Sequence, residues 1–394
     1  MSLSIGICGA GAFADAFIPL FQAHPGVGRV ALAEYRPERL TSAATRFGIE
    51  ETFPSFDALV QSDMDAVALF TQHHIHGPQA VAALRADKHV YSAVPMGIDL
   101  DEINEIVMLA DRGDRVYMMG ETSYYYATAL LCRERYARGD FGRFVYGEGE
   151  YLHDMSHGLY DVYKRRHGAD WQAMASIPPM FYPSHSFSLV LSVMDVEVTR
   201  ICCLGATDNG DDGVFDRSVS SWDNSFSNET ALCETSNGGV IRVNEMRRVG
   251  APSAERLSIF GTEASFEEAG GRSFWMTRTG DVEDLTAYLT GGPAPELIRS
   301  DPTSDLQTGS LVAVHDHERL PKEFAGLPNG HHGSHQFLVD DFVRACLGER
   351  EAPIGARVAA TYCAPGLVAH ESARHRGQAL DVPSCLGAGN TTSV

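Results

Sequence analysis

The sequence predicts an α/β chain in two parts: a doubly wound parallel sheet at the N-terminus, then an α/β domain with an open, mostly antiparallel sheet. Three observations carry this. The 394 residues exceed one ordinary domain. From Leu3 to Met119, short apolar strands alternate with helices, the pattern of a parallel sheet with right-handed crossovers. Beyond about residue 122 strand-like segments follow one another, several joined by Asn-Gly and Gly-Gly turns as in antiparallel sheets.

In chain order, Leu3 to Cys8 reads as a buried strand and Phe13 to Ala23 as a helix, which His24-Pro25-Gly26 breaks. Val30 to Ala33 is a second strand, and Pro37 to Phe47 and Phe56 to Gln61 are helical. Ala66 to Thr71, His89 to Ser92 and Val116 to Met119 are further strands, separated by helices at Pro78 to Ala86 and Leu100 to Arg112. In the second part a helix from about Thr128 to Arg138 precedes strands at Phe144 to His153, Val196 to Leu204, Glu229 to Thr235, Val240 to Glu245 and Leu257 to Gly261. Thr279 to Pro328 is loop-like, helices at Ser334 to Leu347 and Ala356 to Arg374 close the chain, and the Gly/Thr/Ser-rich end is a loose tail. The expected units are residues 1–122, 123–384 and a tail of 385–394.

Composition narrows the function. A formal net charge of −21 repels nucleic acid and anionic lipid, so neither is an expected partner. No run approaches the ~18 apolar residues of a membrane span, and Met1-Ser2-Leu3-Ser4 lacks the basic flank of a secretory leader. The 8 cysteines contain no Cys-x-x-Cys, the usage of reduced thiols, so a cytoplasmic location is expected.

Gly9-Ala10-Gly11-Ala12-Phe13-Ala14 lies between a strand and a helix and fits the G-x-G-x-x-G/A dinucleotide fingerprint of a Rossmann domain. Gly9 permits the tight turn, Gly11 lets backbone approach a pyrophosphate, and Ala14 allows close helix–strand packing. Amides at Ala12 and Phe13 open the helix toward the phosphates. Glu34 ends the second strand, where an acid accepts ribose hydroxyls and repels a 2′-phosphate. NAD is therefore the expected cofactor, and Arg36 leaves NADP open.

From here the motif order resembles the Gfo/Idh/MocA oxidoreductase family. Asp65-Ala66-Val67-Ala68-Leu69-Phe70-Thr71, with His73 and His76, looks like its D-A-V-x-I-A-T-x-N-x-x-H segment. Ala86-Asp87-Lys88-His89-Val90-Tyr91 resembles its A-G-K-H-V stretch, and Gly120 with Gly139-Asp140-Phe141-Gly142-Arg143 its entry to a second domain. The resemblance implies NAD(P)-dependent chemistry on a secondary alcohol of a sugar, cyclitol or related polyol, in a homodimer or homotetramer paired through the C-terminal sheet. It places Thr71 and His76 along the nicotinamide half of the cofactor, with His73, Ala93 and Val94 as further cofactor contacts. Two departures stand out. Ala93-Val94-Pro95 replaces the family's Glu-Lys-Pro, and Phe181-Tyr182-Pro183-Ser184-His185 keeps the histidine of its Asp-x-x-x-His but lacks the aspartate.

Hydride transfer from an alcohol needs a group to take the hydroxyl proton, and histidine suits this near neutral pH. His185 is the candidate acid/base and Tyr182 its partner. Glu121, Thr122 and Tyr124 follow a strand end of the first domain, where α/β ligands sit; with His153, His157 and Arg165 they are candidate substrate contacts. His73-His74-x-His76 and His331-His332-Gly333-Ser334-His335 have ligand-like spacing but come without cysteines or His-Glu-x-x-His, and no metal is expected. Two other readings stand beside the dehydrogenase: a redox-neutral NAD-dependent glycosidase or lyase, and a non-catalytic cofactor-binding sensor.

Overall fold

The computed structural model describes residues 2–208, 210, 212–292 and 311–384. Six strands, β1 (Leu3–Cys8), β2 (Val27–Ala33), β3 (Thr52–Phe53), β4 (Ala66–Leu69), β5 (His89–Ser92) and β6 (Tyr117–Met119), form one sheet ordered β3-β2-β1-β4-β5-β6. Every neighbouring pair is parallel. The strand order reverses between β1 and β4, so the ligand crevice of this fold lies beyond their carboxyl ends. β1, β4 and β5 are buried along their whole length, as strands covered on both faces by helices must be. The connecting helices are α1 (Ala12–Ala23), α2 (Pro37–Phe47), α3 (Phe56–Val60), α4 (His76–Arg85) and α5 (Leu100–Arg112).

The second domain begins with α6 (Ala127–Ala137) and β7 (Phe144–Leu152), followed by α7 (Leu159–His167), α8 (Trp171–Ala175) and α9 (Ser184–Met194). Strands β8 (Val198–Thr207), β9 (Phe226–Thr235), β10 (Val240–Met246), β11 (Ala254–Gly261), β12 (Ala264–Ala269), β13 (Arg272–Thr277) and β14 (Val282–Asp284) come next, then α10 (Thr286–Thr290). A four-residue turn α11 (Gly330–Gly333), the helices α12 (His335–Cys346) and α13 (Ala356–Arg374), and β15 (Leu380–Asp381) complete the chain. The sheet has nine strands ordered β14-β13-β12-β11-β7-β10-β9-β8-β15. It is antiparallel except for the parallel pair β7–β10 at its centre.

Several local expectations need correction. Part of the loop-like stretch after Thr279 forms β14 and α10, α7 and α8 occupy a stretch to which the sequence pattern gave no element, and a short strand follows the last helix. Residues 293–310 and the tail 385–394 lie outside the described residues.

Helix α9 is buried at every position but Ser192, its other serines and His185 included. It lies against β7 so closely that a Cβ at Gly149 would meet the Ser186 carbonyl. The C-terminal helices return to the first domain. His335 of α12 packs on Phe17 of α1 with ring centroids 4.2 Å apart, Phe342 packs on Tyr91, and Met119 N–H donates to Ile354 O at 3.0 Å. Behind this joint the buried Asp340 and Asp341 meet Arg319, Arg344 and Arg350, His24 from the end of α1, and the Tyr125 hydroxyl.

Candidate active site

The glycine turn has the form a dinucleotide requires. Gly9 has φ +104°, and a Cβ there would stand 2.6 Å from the Phe70 carbonyl oxygen, so only glycine fits. A Cβ on Gly11 would meet nothing within 4 Å, which leaves open space over the turn. Gly11 caps α1 without a side-chain hydrogen bond, so no side chain caps the first amides of the helix, those of Ala12 and Phe13 among them. Glu34 folds over the turn, accepting from Ala10 N–H at 3.2 Å and Arg36 N–H at 3.1 Å. The Arg36 side chain donates to the Arg166 carbonyl at 3.0 Å and so joins β2 to α7.

On the next strand ends, Thr71 donates to Gln79 at 2.6 Å, and His76 Nδ1 lies 2.9 Å from the Pro95 carbonyl. Burial lowers His76 to about 4, keeping it neutral. His73, also held well below the usual imidazole range by burial and then by Arg166, packs on the Tyr182 ring at 4.9 Å. Ala93 and Val94 are buried and bring no charge to the site.

The second domain meets these strand ends at His185, in the first turn of α9. Its Nδ1 lies 2.6 Å from Glu121 Oε1 and its Nε2 lies 3.3 Å from the Tyr182 hydroxyl. This corrects the sequence reading twice. His185 has a carboxylate partner, supplied by the other domain, and Glu121 is fully buried beneath the histidine rather than open to a ligand. Glu121 Oε1 also accepts from Ser123 N–H at 3.0 Å and Ser123 Oγ at 2.8 Å. Burial alone would raise its carboxyl, but the His185 charge and these hydrogen bonds hold it below the usual range. Burial would likewise lower His185; the Glu121 and Glu255 carboxylates override it and lift the ring to about 9.

Under α9 the sheet presents a row of inward side chains the sequence reading did not single out. Register places Glu255, Tyr151, Glu245 and Glu229 side by side on β11, β7, β10 and β9. Glu255 lies 3.7 Å from His185 Nδ1, and burial raises its carboxyl. Glu245 accepts from the Ser186 hydroxyl, and burial lifts it to about 8. Glu229 accepts from Met180 N–H and from His370, both at 2.8 Å, fixing the turn that leads into Tyr182. The Tyr151 ring lies nearly parallel to those of His153 and His185, with centroids 4.6 and 5.2 Å away. A signal for this row was available: Glu245 is in phase with the buried Ile241 and Val243 along its strand.

Of the remaining candidates, His153 joins the cluster through Tyr151, and Thr122 is buried next to Glu121. His157 bonds Ser253 at 3.1 Å and lines a separate open cavity of about 520 Å³ with Asp154, Ser156, Arg248 and residues 249–252. Tyr124 packs under Arg133, and Arg165 is exposed with no side-chain hydrogen bond or ion pair among the described residues; the structure brings neither to His185. His331 and His335 bond one another at 2.8 Å and pack on Phe13. Among the described residues, no three His, Cys, Asp or Glu side chains converge as a metal site would.

Residues 3–121 match the model of an oxidoreductase family with an NAD-binding Rossmann fold, Gfo/Idh/MocA. The N-terminal domain belongs to that family. Relatives extend the likeness beyond the Gfo/Idh/MocA domain. A glycosyl hydrolase family 109 protein of Streptomyces filamentosus is 25% identical over 408 residues, covering 97% of this chain and 77% of the relative. One from Saccharopolyspora erythraea is 23% identical, covering 97% and 83%. Among solved structures, levoglucosan dehydrogenase in complex with NADH superposes with a TM-score of 0.74 at 19% identity, over 98% of this chain and all of that one. Scyllo-inositol dehydrogenase from Lactobacillus casei, with NAD(H) and scyllo-inositol bound, gives 0.71 at 17%, over 97% and 99%. At these identities the solved structures establish the two-domain fold. No helix among the described residues is long and apolar enough to cross a membrane.

Proposed function

We propose that the chain binds NAD at the glycine turn and moves a hydride between it and a secondary alcohol of a sugar, cyclitol or related polyol, with His185 carrying the hydroxyl proton. The observation that carries this reading is the buried Glu121–His185 pair at the carboxyl end of the parallel sheet. Glu121 fixes the proton on Nδ1, so Nε2, beside the Tyr182 hydroxyl, is the nitrogen that exchanges protons. Gly9, Gly11 and the open end of α1 would hold the pyrophosphate and Glu34 the ribose hydroxyls; the lining at Thr71, His73, His76, Ala93 and Val94 would flank the nicotinamide. When bound, NAD would supply the hydride acceptor. Below about 9 His185 is an imidazolium in the cofactor-free protein, suited to protonating a carbonyl; in the oxidative direction it must first lose that proton. The acid at Glu34 favours NAD over NADP.

A second reading is redox-neutral glycoside cleavage, in which a ring hydroxyl is oxidised, the adjacent C–H proton is removed and the glycosidic bond breaks with a proton passing to the departing oxygen. Water then adds to the resulting enone as the adjacent carbon regains its proton, and the hydride returns to the carbonyl. The similarity to glycosyl hydrolase family 109 proteins over 97% of this chain favours it, as does the supply of further proton carriers, Tyr182, His153 and Glu255, around His185. One experiment tests both. NAD-loaded protein is offered polyols, cyclitols and nitrophenyl glycosides while reduced nicotinamide and nitrophenolate are followed together. Accumulating reduced cofactor identifies a dehydrogenase, and nitrophenolate without it a redox-neutral glycosidase. Neither signal across the panel, with NAD demonstrably bound, refutes the reading.

A further inference from the structure

We propose that Arg247 is a positioning residue for this site: clamped by Glu245 and spread against the Tyr151 and Tyr182 rings, it fixes those rings against His153 and His185 and sets one permanent positive charge beside the proton-transfer groups. Arg247 follows β10 directly. Its backbone N–H is held by Ser227 O at 3.0 Å and Asn228 Oδ1 at 2.9 Å, and its carbonyl accepts from Met155 N–H at 2.9 Å. The side chain is 8% exposed. Its guanidinium donates to Glu245 Oε2 at 3.3 Å and lies 4.5 Å from the Tyr151 ring centroid and 5.7 Å from that of Tyr182. A second terminal nitrogen is buried with no hydrogen-bond partner among the described residues.

Burying a guanidinium that uses so few of its five donors is costly, and such a group persists where its charge or its plane is needed. Here both are used. The plane braces Tyr151, whose ring lies nearly parallel to His153 and His185. The charge acts on the same neighbours. Burial, then Arg247 and the rings of His185, His331 and His157, bring His153 to about 3, so it stays a neutral acceptor at working pH. Around Tyr182, burial and the Glu121 and Glu255 carboxylates oppose ionisation of the phenol, with Tyr163 adding to them; Arg247 opposes that trend, and His73 and His185 complete the ring contacts. Glu245 ties the arrangement to α9 through the Ser186 hydroxyl, one residue from His185.

The inference deepens the functional reading above, on which its kinetic readout rests; its titration readout does not. The test uses the full chain as wild type, Arg247→Met and Arg247→Lys, loaded with NAD for the kinetics only. Nuclear magnetic resonance of the imidazole C–H groups follows His153 without substrate. Loss of the charge in R247M should raise the His153 midpoint by about one unit or more, while R247K should hold it near the wild-type value. With a substrate from the panel, R247M should lower kcat by about 100-fold with KM changed less than about threefold, and R247K should recover to within about tenfold of wild type. An R247M protein matching wild type in both readouts overturns the proposal, and so does an R247K protein as impaired as R247M. Should R247M fail to fold, R247K decides alone: a His153 midpoint near 3 with at least a tenth of kcat supports the proposal, and anything less overturns it. If wild-type protein turns over nothing, the functional reading fails, and the His153 midpoint still decides the role of Arg247.

Discussion

Replacing Glu121 by glutamine isolates the charge of the Glu121–His185 pair from its geometry. Glutamine keeps an acceptor oxygen for Nδ1–H, at 2.6 Å in the native protein, and removes the negative charge. His185 stands at about 9 against a reference of 6.5, a rise of 2.5 units, or about 3 kcal/mol of preference for the imidazolium. At an effective dielectric of about 20, unit charges about 4 Å apart interact by about 4 kcal/mol, the same order. Glu255, 3.7 Å from Nδ1, remains in the variant, while burial continues to favour the neutral ring. The expected fall is about 2 units. A titration of the His185 C–H resonances in substrate-free protein reads it directly, and the acid limb of the pH–rate profile for alcohol oxidation should move the same way. Stability carries the same sign. Because the folded His185 lies above its unfolded value, the contribution is full below 6.5 and is lost as pH rises through about 9. Glu121, shifted down, contributes above 4.5 and loses that contribution as pH falls through its folded value. The difference in unfolding free energy between wild type and variant should therefore be largest between 4.5 and 6.5 and shrink toward pH 9. A variant whose His185 still titrates near 9, or a wild-type His185 titrating near 6.5, would refute the reasoning.

Other perturbations test other parts of the molecule. Gly9→Ala places a Cβ 2.6 Å from the Phe70 carbonyl at φ +104° and should cost about 1–3 kcal/mol in chemical denaturation and abolish the calorimetric heat of NAD binding; an unchanged isotherm rejects the assignment of the turn. Glu34→Gln should weaken NAD by about tenfold and raise the NADP-to-NAD affinity ratio, and an unaltered ratio would remove Glu34 from cofactor selection. Glu229→Ala leaves His370 and the Met180 amide without their buried acceptor and should cost about 2–3 kcal/mol by urea unfolding; a loss below about 0.5 kcal/mol contradicts that account. The outward sheet face exposes Leu204, Leu232 and Val240, which we propose as a pairing surface. Leu232→Glu should shift the mass measured by light scattering toward the monomer, and a monomeric wild type would dismiss the proposal.

The first domain was legible because its signals are local. A strand, a glycine turn, a helix start and an acid at the next strand end lie within residues 3–34, and β4, Ala-Val-Ala-Leu, reads as an unbroken apolar run. The second domain was legible in its strands and not in their order, since β10 pairs in parallel with β7 across about ninety intervening positions and nothing local marks it. Helix α7, Leu-Tyr-Asp-Val-Tyr-Lys-Arg-Arg-His, buries only Tyr163, too little to give a periodic apolar stripe. The partner of His185 escaped notice for the same reason: Glu121 is 64 positions away in another domain, and the resemblance directed attention to an aspartate on the helix itself.

The return of the C-terminal helices to α1 and β6 has a practical corollary. Cutting the gene after residue 122 would strip α12 from Phe17 and remove the Ile354 carbonyl from Met119, baring an apolar flank of the cofactor-binding half. That half is therefore not a transferable cassette. Chimaeras meant to trade specificities between such enzymes should carry the final helices along with the first 122 residues and exchange only what lies between.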